Sequence, residues 1–238
     1  MVEILKLKNL SKSFGAVTVT DQLNCSLKNG EALGIIGPNG AGKTSMFNLI
    51  TGTLKPDSGQ IFFAGEDITH SNAAKRSRSG IARSFQVPQP FSGLSVFENA
   101  MVAATQSAGL YGKKAEQYCL SILNQTELLP KANILAGSLT LLELKRLELT
   151  RALCTRPKLL LLDEIAGGLT DDECTSLVNT IKNIHKSGVS IIWIEHVVQA
   201  VLAVVDRLMV INFGKKIAEG NPGSIIKSRE VQEIYLGI

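Results

Sequence analysis

A short apolar run, Ala32–Ile36, leads without a break into Gly37-Pro38-Asn39-Gly40-Ala41-Gly42-Lys43-Thr44-Ser45, and a second apolar stretch, Met46–Ile50, follows at once. This order constrains the fold more than any other feature of the chain. The spacing fits GxxxxGK[ST], in which glycines let successive backbone N–H groups converge on phosphate oxygens while the helix that follows aims its positive end at the same charge. Lys43 would reach the β and γ phosphates of a nucleotide, and the Thr44 hydroxyl would ligate Mg²⁺. Such a loop needs a buried strand before it and a helix after it, so the sequence predicts an α/β fold.

Val2–Leu7 and Leu23–Leu27 alternate like strands, Gly59–Phe63 and Gly80–Phe85 have strand character, and Ala73–Ser79 reads as a basic, helix-like segment. These suit a mixed sheet. From about Val87 to Leu153 the texture changes: Pro88 and Pro90 break the chain, and helical signals follow at Val96–Gln106, Lys114–Glu127 and Leu139–Leu153. After Pro157, strands at Leu159–Leu162, Ser190–Ile194 and Arg207–Ile211 alternate with a helix at Asp171–Lys186, the pattern of parallel βαβ units.

The run Leu159–Leu162 ends in Asp163-Glu164, as expected of a buried parallel strand whose C-terminal end meets the nucleotide. Asp163 would hold the Mg²⁺ shell, and Glu164 would orient or deprotonate the attacking water. With both motifs in this order, the chain resembles the ATP-binding subunit of ABC transporters over nearly its whole length. The resemblance implies a P-loop NTPase core of the ABC ATPase type with an antiparallel β subdomain and an inserted α-helical subdomain. It implies one domain over residues 1–238, in which 1–86 and 154–238 form the core with its β subdomain and 87–153 form the helical subdomain. It also implies that Phe14 stacks on adenine, that Gln86 touches Mg²⁺ and the attacking water, and that His196 hydrogen-bonds the γ phosphate. The segments Gly80–Ala103 (GIARSFQVPQPFSGLSVFENAMVA) and Glu219–Gly237 (EGNPGSIIKSREVQEIYLG) look like ATPase subunits of branched-chain amino acid importers and their amide or urea relatives.

The pattern departs from the family at its signature, Leu-Ser-Gly-Gly-Gln, which falls on Leu139-Thr140-Leu141-Leu142-Glu143. Thr140 keeps a hydroxyl for the γ phosphate, but Leu141 and Leu142 put side chains where two glycines allow close backbone approach, and Glu143 is expected to add negative charge near polyphosphate. Ile165 replaces the usual proline after the catalytic carboxylate, and Thr170 replaces an acidic or amide residue. In the resembled family two ATPase subunits pack head to tail, each site pairing one chain's phosphate loop with the other's signature. The degenerate signature therefore damages the partner's site and favours a heterodimer with a different ATP-binding subunit.

The remaining partners that the resemblance implies are transmembrane permease subunits and, indirectly, a periplasmic or lipoprotein solute-binding protein. The expected place is the cytoplasmic face of the inner (plasma) membrane, held peripherally. The net charge of +4 comes with no basic block, so nucleic acid is not an expected partner. Cys25, Cys119, Cys154 and Cys174 show no paired spacing, which fits a reducing compartment and no zinc knuckle. The N-terminus lacks the apolar region of a signal peptide, and the longest apolar stretches fall short of the roughly 18 residues of a spanning helix. Two other readings follow from the same residues: a soluble ABC-type ATPase acting on DNA or ribosomes, and a nucleotide-binding regulatory subunit with little turnover.

Overall fold

Three runs, Ala32–Ile36, Leu159–Asp163 and Ser190–Ile194, are buried at every position, as strands covered on both faces must be. The computed structural model describes residues 2–236. Its strands are β1 (Glu3–Phe14), β2 (Val17–Lys28), β3 (Ala32–Ile36), β4 (Ser58–Phe63), β5 (Glu66–Asp67), β6 (Ile81–Arg83), β7 (Leu159–Asp163), β8 (Ser190–Ile194), β9 (Arg207–Asn212) and β10 (Lys215–Gly220). Its helices are α1 (Lys43–Thr51), α2 (Ala73–Ser79), α3 (Val96–Gln106), α4 (Gly112–Gln125), α5 (Leu141–Cys154), α6 (Asp171–Lys186), α7 (Val198–Leu202), α8 (Pro222–Ile225) and α9 (Arg229–Leu236). Met1, Gly237 and Ile238 lie outside the described residues, and with them the last position of the C-terminal run noted above.

The apolar strands lie inside a six-stranded sheet of order β10-β9-β3-β8-β7-β6, parallel except for the β9–β10 hairpin. Alternate residues of a strand face opposite sides, and the core divides accordingly. Leu159 and Leu161 face α1 and the second sheet, β2-β1-β4-β5, together with Leu5, Leu27, Met46 and Phe47. Leu160 and Leu162 face α5 and α6, together with Leu149, Leu177 and Ile181. A smaller core of Val96, Leu123, Leu128, Leu139 and Leu147 holds the segment between β6 and β7 together.

Several elements differ from their sequence patterns for identifiable reasons. β1 runs to Phe14 rather than stopping at Leu7, because the β1–β2 register shifts between Leu7 and Leu10 and Asn9 takes φ 46°. A bulge of this kind resets the two-residue alternation. The expected Leu139–Leu153 helix begins at Leu141, since Thr140 is its N-cap, and the Lys114–Glu127 helix is shifted toward Gly112–Gln125. α2 is basic in sequence, but its Arg76 is buried: it donates to the carbonyls of Leu49 and Ile50 at the end of α1 and to those of Thr69 and Ser71.

Candidate nucleotide site

The phosphate loop joins β3 to α1, and its glycines are demanded by close packing. A Cβ on Gly37 would lie 2.1 Å from the Ile211 carbonyl oxygen, and one on Gly42, at φ 101°, would lie 2.1 Å from that of Val19. Gly42 precedes the first turn of α1 without a side-chain cap, so the first amides of the helix stay available to an anion. Lys43 is buried and folds back on the loop, donating to the carbonyls of Gly37 at 2.7 Å and Pro38 at 3.0 Å. Burial pushes its ammonium below the usual lysine range, and the Glu164 and Asp163 carboxylates oppose that shift. Thr44, Asn39 and Gly40 are exposed, Pro38 and Ser45 are partly so, and Ala41 is buried.

Two residues from separate parts of the sequence meet at Glu164. Gln86 Nε2 donates to one Glu164 oxygen at 2.6 Å, and His196 Nε2 lies 2.8 Å from the other. Glu164 sits at φ 47°, immediately past β7, with its amide donating to Ile194 of β8. Asp163, one residue earlier, is buried and paired with Arg83. Phe14 lies at the tip of the β1–β2 hairpin, 54% exposed, with the Lys12 ammonium 5.4 Å from its ring centre.

Thr140 is not gathered into this set. Its hydroxyl accepts from the Glu143 amide, while its own amide donates to the Glu143 carboxylate at 2.9 Å, so the two close a capping box on α5. Lys131 lies 3.1 Å from the same carboxylate. The amide of Thr140, with help from Lys131, holds Glu143 below the usual carboxylate range. Glu143 thus closes its carboxylate on the N-terminus of its own helix.

The family profile for ABC transporters matches residues 20–167. The chain is 33% identical to a probable branched-chain amino acid transport ATP-binding protein, LivG, of Archaeoglobus fulgidus, over 99% of this chain and 96% of that protein. It is also 33% identical to the high-affinity branched-chain amino acid transport ATP-binding protein BraF of Pseudomonas aeruginosa, over 98% of each. The chain belongs to the ABC transporter family. The cassette also superposes, with a TM-score of 0.91 and 31% identity over 100% of both chains, on the ADP conformation of MJ1267, an ATP-binding cassette of an ABC transporter. It is thus an ATP-binding subunit and an ATPase, and neither a DNA- or ribosome-directed ATPase nor a low-turnover regulator is favoured.

Beside the cassette's nucleotide site runs a groove of about 680 Å³, lined among others by Phe14, Ser45, Asn48, Arg83, Phe91 and Arg151. In the loop after Gln86, Val87 and Phe91 are exposed, Phe91 48% so and in this groove, whereas Phe97 in the first turn of α3 packs on the core. α5 holds that loop by three polar contacts: Lys145 donates to the Gln86 carbonyl, Glu148 accepts from the Gln89 amide, and Arg151 donates to the Gln89 carbonyl. Motif reading passes over four of the site's neighbours: Lys145, Glu148, Arg83, and Glu195, which accepts from the Ala166 and His196 amides. Arg83 has a signal of its own, a charged residue closing an otherwise apolar strand in Gly80-Ile-Ala-Arg83.

Proposed function

We propose that this cassette drives the import of branched-chain amino acids from the cytoplasmic face of the inner (plasma) membrane, held there peripherally by transmembrane permease subunits. The observation that carries the catalytic part is the meeting of Gln86 and His196 on the two oxygens of Glu164 beside the phosphate loop. Gly37, Pro38, Asn39, Gly40, Ala41, Gly42, Lys43, Thr44 and Ser45 take the phosphates of ATP, and Phe14 takes the adenine. Glu164 acts on water, Gln86 touches that water, His196 hydrogen-bonds the γ phosphate, and preorganised contacts rather than covalent chemistry lower the barrier.

The donors that would serve a metal are the Asp163 carboxylate and the Thr44 hydroxyl, with the Gln86 amide oxygen as a third. Among the described residues no group of three His, Cys, Asp or Glu side chains could hold a metal alone. Hard oxygen donors in so small a number fit Mg²⁺ taken up together with a polyphosphate. When bound, Mg²⁺ would neutralise charge on the β and γ oxygens.

The groove and the exposed Phe91 support the permease contact, since exposed apolar surface of this kind marks interaction sites. The solute specificity is carried over from the relatives named above, and a binding protein takes part only indirectly. The closed capping box at Thr140 supports pairing with a different ATP-binding subunit. Reconstitution of the cassette with its permeases and binding protein tests the reading: leucine uptake should require ATP and fail with Glu164→Gln. ATP-dependent uptake of an unrelated solute, with none of leucine, would overturn the specificity.

A further inference from the structure

β6 is three residues long, and its last residue, Arg83, has a side chain only 8% exposed. A cation in such a place needs partners. Arg83 Nη2 donates to Asp163 Oδ2 at 2.5 Å and Nη1 donates to Asn48 Oδ1 at 2.6 Å. The guanidinium lies 5.5 Å from the ring centre of Phe47 and 5.1 Å from that of Phe85, and its Nε has no hydrogen-bond partner. One side chain therefore ties together β6, the end of β7 and the helix that carries the phosphate loop. The Asp163 side chain is itself only 5% exposed, and a buried carboxylate left without a counter-charge is costly.

We propose that Arg83 is a positioning residue of the nucleotide site: it fixes Asp163 against α1 and offsets the carboxylate's charge until nucleotide and metal arrive. This rests on the reading that Asp163 serves the metal shell. Arg83 sits 80 residues from Asp163 in sequence and belongs to none of the motifs that mark the phosphate site, yet among the described residues it is the cation that forms an ion pair with Asp163. Without it, Asp163 would keep only the longer-range compensation of Lys43, and its less compensated charge would oppose an incoming polyphosphate when no metal is present.

The test is a double-mutant cycle on the full chain, read as ATP affinity in EDTA, where no metal contributes. Arg83→Met should weaken binding on the order of tenfold in the wild-type background. In the Asp163→Asn background the same substitution should cost less than about twofold, because the charge it would expose is gone. Arg83→Lys, which keeps the charge, should recover most of the affinity. Equal losses from Arg83→Met in both backgrounds would overturn the proposal and make Arg83 a packing residue between Phe47 and Phe85. Should Arg83→Met fail to fold, recovery of folded protein in Arg83→Met/Asp163→Asn supports the charge pairing, and failure of that recovery overturns it. Mn²⁺ titration of the ATP complex reads the underlying assignment separately. Undiminished Mn²⁺ binding by Asp163→Asn would remove Asp163 from the metal shell, and the coupling measured in EDTA would stand or fall on its own.

Discussion

Lys43 donates to two carbonyls of its own loop while burial lowers the affinity of its amine for a proton, so an arriving phosphate gives a poorly solvated cation a stronger partner. Lys43→Ala should weaken ATP binding by about tenfold or more, measured by titration of labelled nucleotide. Glu164→Gln keeps the shape of the residue that Gln86 and His196 meet but removes a base; it should retain ATP and lose on the order of 10² to 10⁴ in turnover. Wild-type turnover in that variant would take Glu164 out of its role. The cysteines give a pH-linked check. Burial pushes the Cys25 thiol up to about 12, so it stays protonated and inert below that range. The Cys174 thiol is also raised by burial, but the residue is only partly covered. At pH 8 a maleimide should label Cys174 first, and Cys25 only on unfolding; mass mapping of early adducts decides it, and early labelling at Cys25 would contradict its packing.

Elements whose role is repetitive were readable from the chain, and elements whose role is singular were not. The central strands announce themselves because burial on both faces demands an unbroken apolar run, and the phosphate loop because glycine alone fits at Gly37 and Gly42. Glu164 stands at a motif position and the resemblance implies Gln86 and His196, but nothing in their spacing shows that these two meet on the Glu164 carboxylate. α2 is the clearest case of hidden function. Its composition reads as a basic, helix-like segment, yet Arg76 is 2% exposed and satisfies the C-terminal carbonyls of α1, where a cation also meets the negative end of the helix. Periodicity cannot tell such an arginine from its exposed neighbour Arg78. Arg76→Met should strand these carbonyls and lower stability by about 3 kcal/mol, as measured by urea unfolding, with Arg78→Met within about 0.5 kcal/mol of wild type. Equal effects would mean that the α1 contacts do not matter.

At the scale of the whole assembly, the question is whether two copies of this chain can make two good sites. The signature helix α5 begins at a box in which Thr140 and Glu143 satisfy each other, and Lys131 neutralises the carboxylate. A helix N-terminus occupied by its own acid has little left for another subunit's phosphate. A homodimer would carry this defect twice, a heterodimer once. Loss of the signature's contribution at a site should cost about 3 kcal/mol, on the order of a hundredfold in rate. The chain alone is therefore expected to bind MgATP and hydrolyse it slowly, and to gain turnover when mixed with a subunit that carries a glycine-containing signature. Rebuilding the signature here, with Thr140→Ser, Leu141→Gly, Leu142→Gly and Glu143→Gln, should raise the rate of the isolated chain. It should also cost stability: two glycines in a helix lose roughly 2 kcal/mol, and Leu142 packs against the main core, so its removal opens space there. Leu141 is different, being 43% exposed beside Gly168, so Leu141→Gly is the substitution to make first. Steady-state ATPase rates, normalised per intact site and compared at a temperature where all variants are folded, decide the matter. Equal rates for the isolated chain and the mixed pair would mean that the capped signature works as it stands, and the case for an unequal pair would fall with it.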